Sequence, residues 1–292
     1  RVKSDIPTIA YLNSPLKNTN SNDSSLLLPL KTLRQDYVVA SYPAWVNPKD
    51  PEGYGGRPSY FNIIALENDT TIEWIPKRDS AGNGITVPAV LAGATGSTQL
   101  NKLDILQVGA STLTNMDHET QDISGTIIHA DKPIWVLGGA SCARIPYDGP
   151  LGCNHLQEQL IPTEYWGNRY YAAHSPLRGQ EKHYWRVYAG ADGVSVTTNP
   201  PQPGGLFTLA KKGDFVDLAV ANGKSGEAAV EGVWELPKLS TAVIAQGVRL
   251  TWDVSAGEFL VASAAVGDLE NCAVAEAAAG APREVVRPEA RI

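Results

Sequence analysis

The sequence predicts an all-β fold built from tandem antiparallel β-sandwich-like units. Short segments rich in Val, Ile, Thr and aromatic residues stand out between Gly, Pro, Asn and Asp. The chain has 292 residues, of which 27 are Gly and 20 are Pro, and this is typical of a backbone that turns often. Three blocks of sequence also occur twice in the same order. A β-propeller arrangement of the same strands is the alternative, because repeated strands at this spacing suit both architectures.

Five segments show the strand composition most clearly. They are residues 37–41, 60–66, 70–75, 125–129 and 133–137. Glu67-Asn-Asp-Thr separates the second segment from the third and has the length of a hairpin turn. We therefore expect residues 60–66 and 70–75 to pair as a β-hairpin.

The internal repeat predicts the domain organisation. Asp5 and Pro7 match Asp131 and Pro133, Tyr37 matches Tyr170, and Tyr60 matches Tyr184. Each unit would supply about six strands, enough for a sandwich with a buried inner face. The predicted division is the end of a preceding unit (1–25), a first unit (26–152), a second unit (153–270) and an irregular tail (271–292), which is Ala-rich and lacks alternation. Because the chain opens with Arg1 inside a strand-like segment, we expect a larger multidomain protein.

The composition excludes some partners. The net charge of −7 and a pI near 5.3 argue against nucleic acid, since phosphate binding needs clustered Lys and Arg. No stretch reaches the roughly 20 apolar residues that span a bilayer. The apolar content of 43% is enough to bury a substantial core.

The three cysteines predict one disulfide. Cys142 and Cys153 flank a loop of Pro and Gly residues that can turn the backbone back on itself, and Cys272 is left free. A disulfide indicates an oxidising compartment, and hence a secreted, cell-surface or other extracellular location. A loop of this size closed by a disulfide stabilises a fold by about 3 kcal/mol.

The residues after the second cysteine leave other interpretations to weigh. Cys142, Cys153, His155 and Glu158 are all possible zinc ligands, but structural zinc sites usually show two close ligand pairs such as Cys-x-x-Cys, so the pattern favours the disulfide and no metal. His155 and Glu158, three residues apart, could lie on one face of a short helical turn and share a hydrogen bond, and a polar pair that holds the loop in place is favoured over an acid–base pair. No histidine belongs to a known nucleophile, metalloprotease or phosphate-binding motif, so we expect no catalytic residue and no cofactor.

The same region resembles a known family. Asp131-Lys-Pro-Ile-x-Val, then Ser141-Cys-Ala, then Cys153-Asn-His-x-x-Glu-Gln-Leu-x-Pro and Trp166-Gly is similar to the IgGFc-binding protein N-terminal domain family. His155, Glu158, Gln159 and Trp166 are the motif residues. The resemblance runs from about Val2 to Gly193 and implies an extracellular, disulfide-containing, repeat-built β module. The Fc part of immunoglobulin G is a possible partner by this resemblance only.

One loop predicts a partner-binding surface. Residues 42–58 are rich in aromatic residues and Pro, and Trp45, Tyr54 and Arg57 are the types that dominate interface hot spots. The alternative is that the loop packs its own aromatic side chains against neighbouring strands. The equivalent loop of the second unit, residues 174–183, lacks these aromatic residues, so specificity would reside in this difference.

Together these observations predict a non-enzymatic extracellular module for binding or adhesion, which recognises a protein or glycoprotein. The alternative is a carbohydrate-active enzyme with His155 and Glu158 near a cleft, or a sugar-binding module with exposed Trp side chains.

Overall fold

The computed structural model describes residues 2–14, 21–44, 58–111, 122–145, 153–172, 183–199, 201–202, 205–220, 226–231, 234–237, 249–253, 258–260, 269–275 and 283–288. The strands, in chain order, are β1 Tyr11–Ser14, β2 Asp23–Leu26, β3 Asp36–Val38, β4 Ser59–Ala65, β5 Thr70–Ile75, β6 Gly96–Leu100, β7 Ile105–Gly109, β8 Ile127–Ala130, β9 Ile134–Ala143, β10 Asn154–Gln159, β11 Arg169–Ala172, β12 His183–Tyr188, β13 Val194–Asn199, β14 Phe207–Leu209, β15 Phe215–Val220, β16 Gly226–Glu231, β17 Trp234–Pro237, β18 Arg249–Asp253, β19 Glu258–Leu260, β20 Leu269–Ala275 and β21 Arg283–Pro288. Two 3-10 turns, Leu30–Thr32 and Thr163–Tyr165, precede β3 and β11.

Two antiparallel sheets form the first sandwich. One has the order β3-β8-β5-β6 and the other β10-β9-β4-β7. The strands alternate in burial: in β5, Thr70, Ile72 and Trp74 are buried and the residues between them are more exposed. One continuous core contains side chains from both sheets, among them Trp74 from one and Phe61 from the other. The predicted all-β, sandwich-like fold is thus confirmed, and the described strands form face-to-face sheets, not propeller blades.

The hairpin predicted for residues 60–66 and 70–75 is wrong. β4 pairs with β7 and β9, whereas β5 pairs with β6 and β8, so the turn between them carries the chain from one sheet to the other. Asp69 has a φ of 53° in this turn. A turn signal specifies a reversal, but which strands then pair depends on where each buries its apolar face.

The second sandwich has the strand order of the first. Counted from the preceding 3-10 turn, the first, sixth, third and fourth strands form the sheet β11-β16-β13-β14, as they form β3-β8-β5-β6. The second and fifth strands pair as β12-β15, as β4 and β7 do. Ala189, Val196 and Leu209 lie at the centre of its core.

Matched hydrogen bonds accompany the matched strands. Tyr37 Oη accepts the Arg34 N–H at 3.2 Å, and Tyr170 Oη accepts the Gly167 N–H at 2.7 Å, three residues upstream in each case. At the end of the second strand, the Leu103 N–H donates to Ala65 O (2.8 Å) and the Gly213 N–H to Ala189 O (2.9 Å). Leu103 and Gly213 both have positive φ, 73° and 83°. Tyr37 and Tyr170 therefore occupy corresponding positions.

Two hairpins also match. β1 pairs with β2 so that Tyr11 lies opposite Leu26, and β9 pairs with β10 so that Leu137 lies opposite Gln159. Just beyond each, the Leu27 N–H donates to Ala10 O and the Leu160 N–H to Val136 O, both at 2.9 Å. The N-terminal hairpin thus repeats the geometry of the hairpin that ends the first sandwich.

A further sheet, β17-β21-β20-β18-β19, follows the second sandwich. β21 and most of β20 fall within residues 271–292, for which the sequence predicts an irregular tail, so that prediction is wrong for these two ranges. Pairing with β17 and β18 supplies the backbone partners that the local composition does not reveal.

Candidate recognition cleft between the two sandwiches

A cleft of about 230 Å³ opens where the two sandwiches meet. Its walls come from the segment after β3, from β9 and β10, and from the outward face of β12 with Asp217 of β15. Tyr42, Tyr184 and Tyr188 contribute aromatic surface, and Arg186, Asp217 and Glu158 contribute charge. Because side chains alternate along β12, its residues 185 and 187 point away from this face.

Arg186 is the central side chain of the cleft. Its Nε and Nη2 atoms donate to the two carboxylate oxygens of Asp217, both at 2.7 Å. Its Nη1 atom donates to Asp122 Oδ2 (2.7 Å), Ser41 O (3.1 Å) and Ser124 Oγ (3.1 Å) in the first sandwich. The guanidinium therefore connects the two sandwiches through bidentate and charge-assisted hydrogen bonds.

Two aromatic rings flank the guanidinium. The Tyr42 ring centroid is 4.6 Å from Cζ of Arg186, and the Phe215 centroid is 4.3 Å away. Burial opposes the charged form of Arg186, but its hydrogen bonds to Asp217 and the negative charge of Asp122 outweigh this effect and raise the pKa of Arg186 above the ordinary value. Burial also raises the pKa of Tyr42 and of Tyr188 to about 12, so both phenols remain protonated.

Buried hydroxyl groups hold the first-sandwich wall. Ser41 Oγ donates to Gly139 O (2.7 Å) and shares a hydrogen bond with Ser59 Oγ (2.8 Å). The Ser41 N–H donates to the Tyr188 hydroxyl oxygen, and the Tyr188 hydroxyl donates to Ser41 O, both at 3.2 Å. These contacts fix the backbone that carries Tyr42, so the cleft is formed before any ligand arrives.

A second contact between the sandwiches lies away from the cleft. Lys77 Nζ donates to Asp214 Oδ1 at 2.5 Å. Beside it Gly125 and Gly213 approach so closely that a Cβ on either residue would run into the carbonyl oxygen of the other. Only glycine fits at both positions, where φ is also positive.

The predicted disulfide is present. Cys142 and Cys153 are bonded, with their Cα atoms 5.1 Å apart, and the bond closes the loop between β9 and β10. Both sulfur atoms are occupied, which removes the thiolates that the zinc alternative needs. The side chain of Cys272 lies outside the described side chains.

The predicted pairing of His155 with Glu158 on a helical turn is wrong. Both residues belong to strand β10, where positions three apart do not share a face. The His155 ring stacks on Tyr60 with centroids 6.4 Å apart, and its Nε2 atom is 3.2 Å from Gln157 Oε1. Glu158 instead accepts a hydrogen bond from Ser25 Oγ at 2.9 Å. The two side chains therefore do not form an acid–base pair.

The motif around β10 serves to join the N-terminal hairpin to the first sandwich. Alternate backbone N–H groups of β10 donate to side chains of the β2 segment: that of His155 to Ser21 Oγ, that of Gln157 to Asp23 Oδ2 (2.8 Å) and that of Gln159 to Ser25 Oγ (2.6 Å). Gln159 Oε1 accepts the Leu28 N–H at 2.8 Å. These side chains cover an edge strand that would otherwise expose its hydrogen-bonding groups.

Glu158 faces the cleft from this strand. Although the residue is exposed, packing around its carboxylate excludes enough water to raise its pKa, and the hydrogen bond from Ser25 opposes that shift. Trp166 lies elsewhere: its Nε1 atom donates to Ile161 O at 3.0 Å, and its ring covers Gly190. Trp45, Tyr54 and Arg57 lie outside the described residues.

Sequence reasoning singled out Glu158 but missed Arg186 and its partners. Arg186 interrupts the aromatic segment Tyr184-Trp-Arg-Val-Tyr, and a charged residue in such a strand is a signal that its face is not the core. Its partners, Asp122 and Asp217, come from segments distant in the chain, and no local pattern connects them.

The fold and the site define a class of protein in which two β-sandwiches lie side by side with a cleft between them. A disulfide closes one hairpin of the first sandwich. Residues 23–231 match the family model described as IgGFc binding protein, and the chain belongs to this family. The human IgGFc-binding protein is 29% identical over 197 residues, which is 67% of this chain and 3% of the human protein. A model described as phage cement protein matches residues 187–288. No solved structure gives a significant match.

None of the described segments forms a helix of the length and hydrophobicity that crossing a bilayer requires.

Proposed function

We propose that this chain is an extracellular, non-enzymatic module that recognises a protein or glycoprotein through the cleft between its sandwiches. The cleft itself carries this proposal, because it presents Tyr184 and Asp217 on a backbone that Arg186 and Ser41 already hold in place. A preformed site loses less conformational entropy on binding than one that must order itself. Tyr and Arg are also the residue types enriched at interface hot spots.

The charge around the cleft indicates what kind of group it would receive. The carboxylates of Asp122 and Asp217 bind the guanidinium of Arg186, and Glu158 adds a third carboxylate to the lining of the cleft. The excess negative charge favours a basic side chain of the partner, and the Tyr184 ring offers a face for its cation. The name of the human relative makes the Fc region of immunoglobulin G the first partner to test.

Residues 45–57 lie outside the described residues and follow directly after Ala44, two residues beyond the cleft residue Tyr42. Trp45, Tyr54 and Arg57 therefore remain our candidates for extending the surface beyond the cleft. The matched strands, turns and tyrosines support a further proposal, that the two sandwiches are tandem repeats that differ in their loops.

Binding to immobilised Fc, with Fab as the comparison ligand, tests the proposed function. We expect Tyr184→Ser to weaken Fc binding by about tenfold or more, the range of an interface hot spot. Tyr171→Ser is the matched control, because Tyr171 is 65% exposed and does not line the cleft. Equal loss in both variants would contradict a cleft-centred site, and a triple Ala variant of the loop candidates separates the loop from the cleft.

If Fc does not bind, capture from serum or mucus with wild type and Tyr184→Ser identifies a partner that depends on the cleft. The enzyme alternative has its own test, a glycan panel assayed with wild type, His155→Ala and Glu158→Gln. We expect no turnover by the wild-type chain. Turnover that both folded variants lose would overturn the non-enzymatic assignment.

A further inference from the structure

We propose that Asn68, in the turn that crosses between the two sheets of the first sandwich, is an N-glycosylation site. Asn68-Asp-Thr has the acceptor pattern Asn-x-Ser/Thr, which secretory pathways modify on exposed loops. Such triplets also arise by chance, so the pattern alone decides nothing. The inference rests on the extracellular location in the proposed function, and on a comparison of this turn with its equivalent in the second sandwich.

The same turn follows the second strand of each sandwich. Asn68 Oδ1 accepts the Lys102 N–H at 3.1 Å, and Asp192 Oδ1 accepts the Lys212 N–H at 2.8 Å. The residue after each acceptor has a positive φ, 53° in the first turn and 70° in the second. The turn therefore needs a side-chain oxygen at this position, and a carboxylate supplies it as well as a carboxamide does.

The first turn differs from the second at the two positions that a glycan acceptor requires. A carboxylate makes the stronger, charge-assisted hydrogen bond to an N–H group, yet the first turn has Asn68. Two residues later it has Thr70, where the second turn has Val194. Because Asp192 and Val194 form the same turn, the backbone does not require an amide and a hydroxyl at this spacing. Transfer of a glycan does require them.

The side chain of Asn68 has room for a sugar. The residue is exposed, its Oδ1 atom is held within the turn, and its Nδ2 atom donates to no described residue. Lys132 Nζ donates to the carbonyl oxygens of Asn68 (2.6 Å) and Asp69 (3.1 Å), which fixes the backbone beneath the side chain. Thr70 is buried, and its Oγ1 atom donates to Glu67 O at 2.9 Å, so transfer must precede closure of the turn.

The modification forms one bond and breaks another. Asn68 Nδ2 attacks the anomeric carbon of an oligosaccharide carried on a polyprenyl pyrophosphate. The bond from that carbon to the pyrophosphate oxygen breaks, the pyrophosphate leaves, and the amide gives up one proton.

The glycan lies far from the cleft. Ser59, the first residue of β4, shares a hydrogen bond with the cleft residue Ser41. β4 then runs for seven residues, about 20 Å, before it reaches the turn at Asn68. Glycosylation at this end of the sandwich therefore leaves the cleft open to a partner.

Peptide mass mapping of the chain from a eukaryotic secretory host tests the site. Peptide N-glycosidase converts a glycan-bearing Asn to Asp, so it reports occupancy at residue 68 separately from the other triplet, Asn22-Asp-Ser. We expect most wild-type chains to carry a glycan on Asn68, and Thr70→Ser, which keeps the hydroxyl, to behave in the same way. Thr70→Val and Asn68→Asp copy the second turn and should lose the glycan. An unmodified Asn68 in wild-type chains recovered from this pathway, secreted or retained, overturns the proposal.

Thermal unfolding separates a glycan acceptor from a residue that only shapes the turn. In chains from the periplasm of bacteria that do not glycosylate, Asn68→Asp should unfold at the wild-type temperature, because Asp192 makes the same hydrogen bond in the second turn. A large loss of stability would show that the turn requires Asn, and would overturn the proposal.

Binding measurements keep this proposal separate from the proposed function. Asn68→Asp should bind the partner as wild type does. Loss of binding in Tyr184→Ser, together with an unmodified Asn68, would support the cleft and overturn the glycosylation site. A glycan on Asn68 without any binding that depends on Tyr184 would support the glycosylation site and overturn the cleft.

Discussion

The two sandwiches share a backbone frame and differ in what surrounds it. The turn before the fifth strand of each has a residue with positive φ, but the first sandwich uses Leu103 and the second uses Gly213. Leu103 is 61% exposed, whereas Gly213 contacts the backbone of Gly125 in the other sandwich. The positive φ is therefore a feature of the turn in both sandwiches. Glycine is required at position 213 because the backbone of Gly125 leaves no room for a side chain.

The same difference appears on the second strand. Arg186 of β12 corresponds to Asn62 of β4 by position after the 3-10 turn and strand register. Asn62 lies on an internal strand of a complete sheet, whereas Arg186 reaches across to Asp122 and Ser41. The second sandwich therefore depends on its neighbour at positions where the first does not, and four experiments compare the two sandwiches.

The largest effect is expected for Arg186→Ala. This change leaves Asp122, which is 6% exposed, without its cationic partner, and breaking a buried ion pair in this way costs about 3–5 kcal/mol. Urea unfolding followed by Trp fluorescence measures the loss. The matched control, Asn62→Ala, should cost about 1 kcal/mol or less. Equal losses of unfolding free energy in Arg186→Ala and Asn62→Ala would contradict the proposed dependence of the second sandwich on the first.

Loss of the disulfide should come next. Cys142→Ser combined with Cys153→Ser releases a loop whose ends are 11 residues apart, and the chain-entropy cost of such a loop is about 3 kcal/mol. The N-terminal hairpin pairs in the same register without any cysteine in its sequence, so only the β9–β10 hairpin should lose protection in hydrogen exchange. Cys272→Ser is the control, and unchanged protection of β10 would contradict a structural role for the bond.

A smaller effect is expected from exchanging the turn residues. Gly213→Leu forces a side chain into the carbonyl of Gly125 and should destabilise the chain by about 2–3 kcal/mol. Leu103→Gly relieves a positive φ at an exposed turn but makes the unfolded chain more flexible, so its net effect should be within about 0.5 kcal/mol. Thermal unfolding of both variants measures the difference. Similar shifts in Tm for the two variants would show that glycine is needed at position 213 for the turn conformation alone.

The smallest effect is a pH dependence. The hydrogen bond from Lys77 is the main cause of the lowered pKa of Asp214, and backbone N–H groups add to it. Because the folded pKa lies below the unfolded value of about 3.9, this stabilisation is complete above that pH and is lost as the pH falls through the folded pKa. Asp214→Asn should cost about 1 kcal/mol near neutral pH and progressively less in acid. If the loss of stability caused by Asp214→Asn did not change with pH, it would come from altered hydrogen-bond geometry and not from the charge of Asp214.

Local patterns sufficed for much of the fold. The composition of residues 70–75 identified β5, the Pro and Gly loop identified the disulfide, and matched sequence blocks placed Tyr37 and Tyr170 at equivalent positions. Each of these features depends on residues close in the chain or on direct comparison of two segments. The turn at Asp69 was recognised too, but its role as a crossing between sheets was not.

The remaining features arise from contacts between distant segments. The N–H groups of His155, Gln157 and Gln159 meet side chains more than a hundred residues away, and Arg186 meets Asp122 across the boundary between sandwiches. Strand composition and turn residues are encoded locally because they depend on backbone dihedrals and on side-chain period. Strand partners, the cleft and the need for glycine at position 213 depend on which surfaces come together after burial of the cores, and that is a property of the folded chain as a whole.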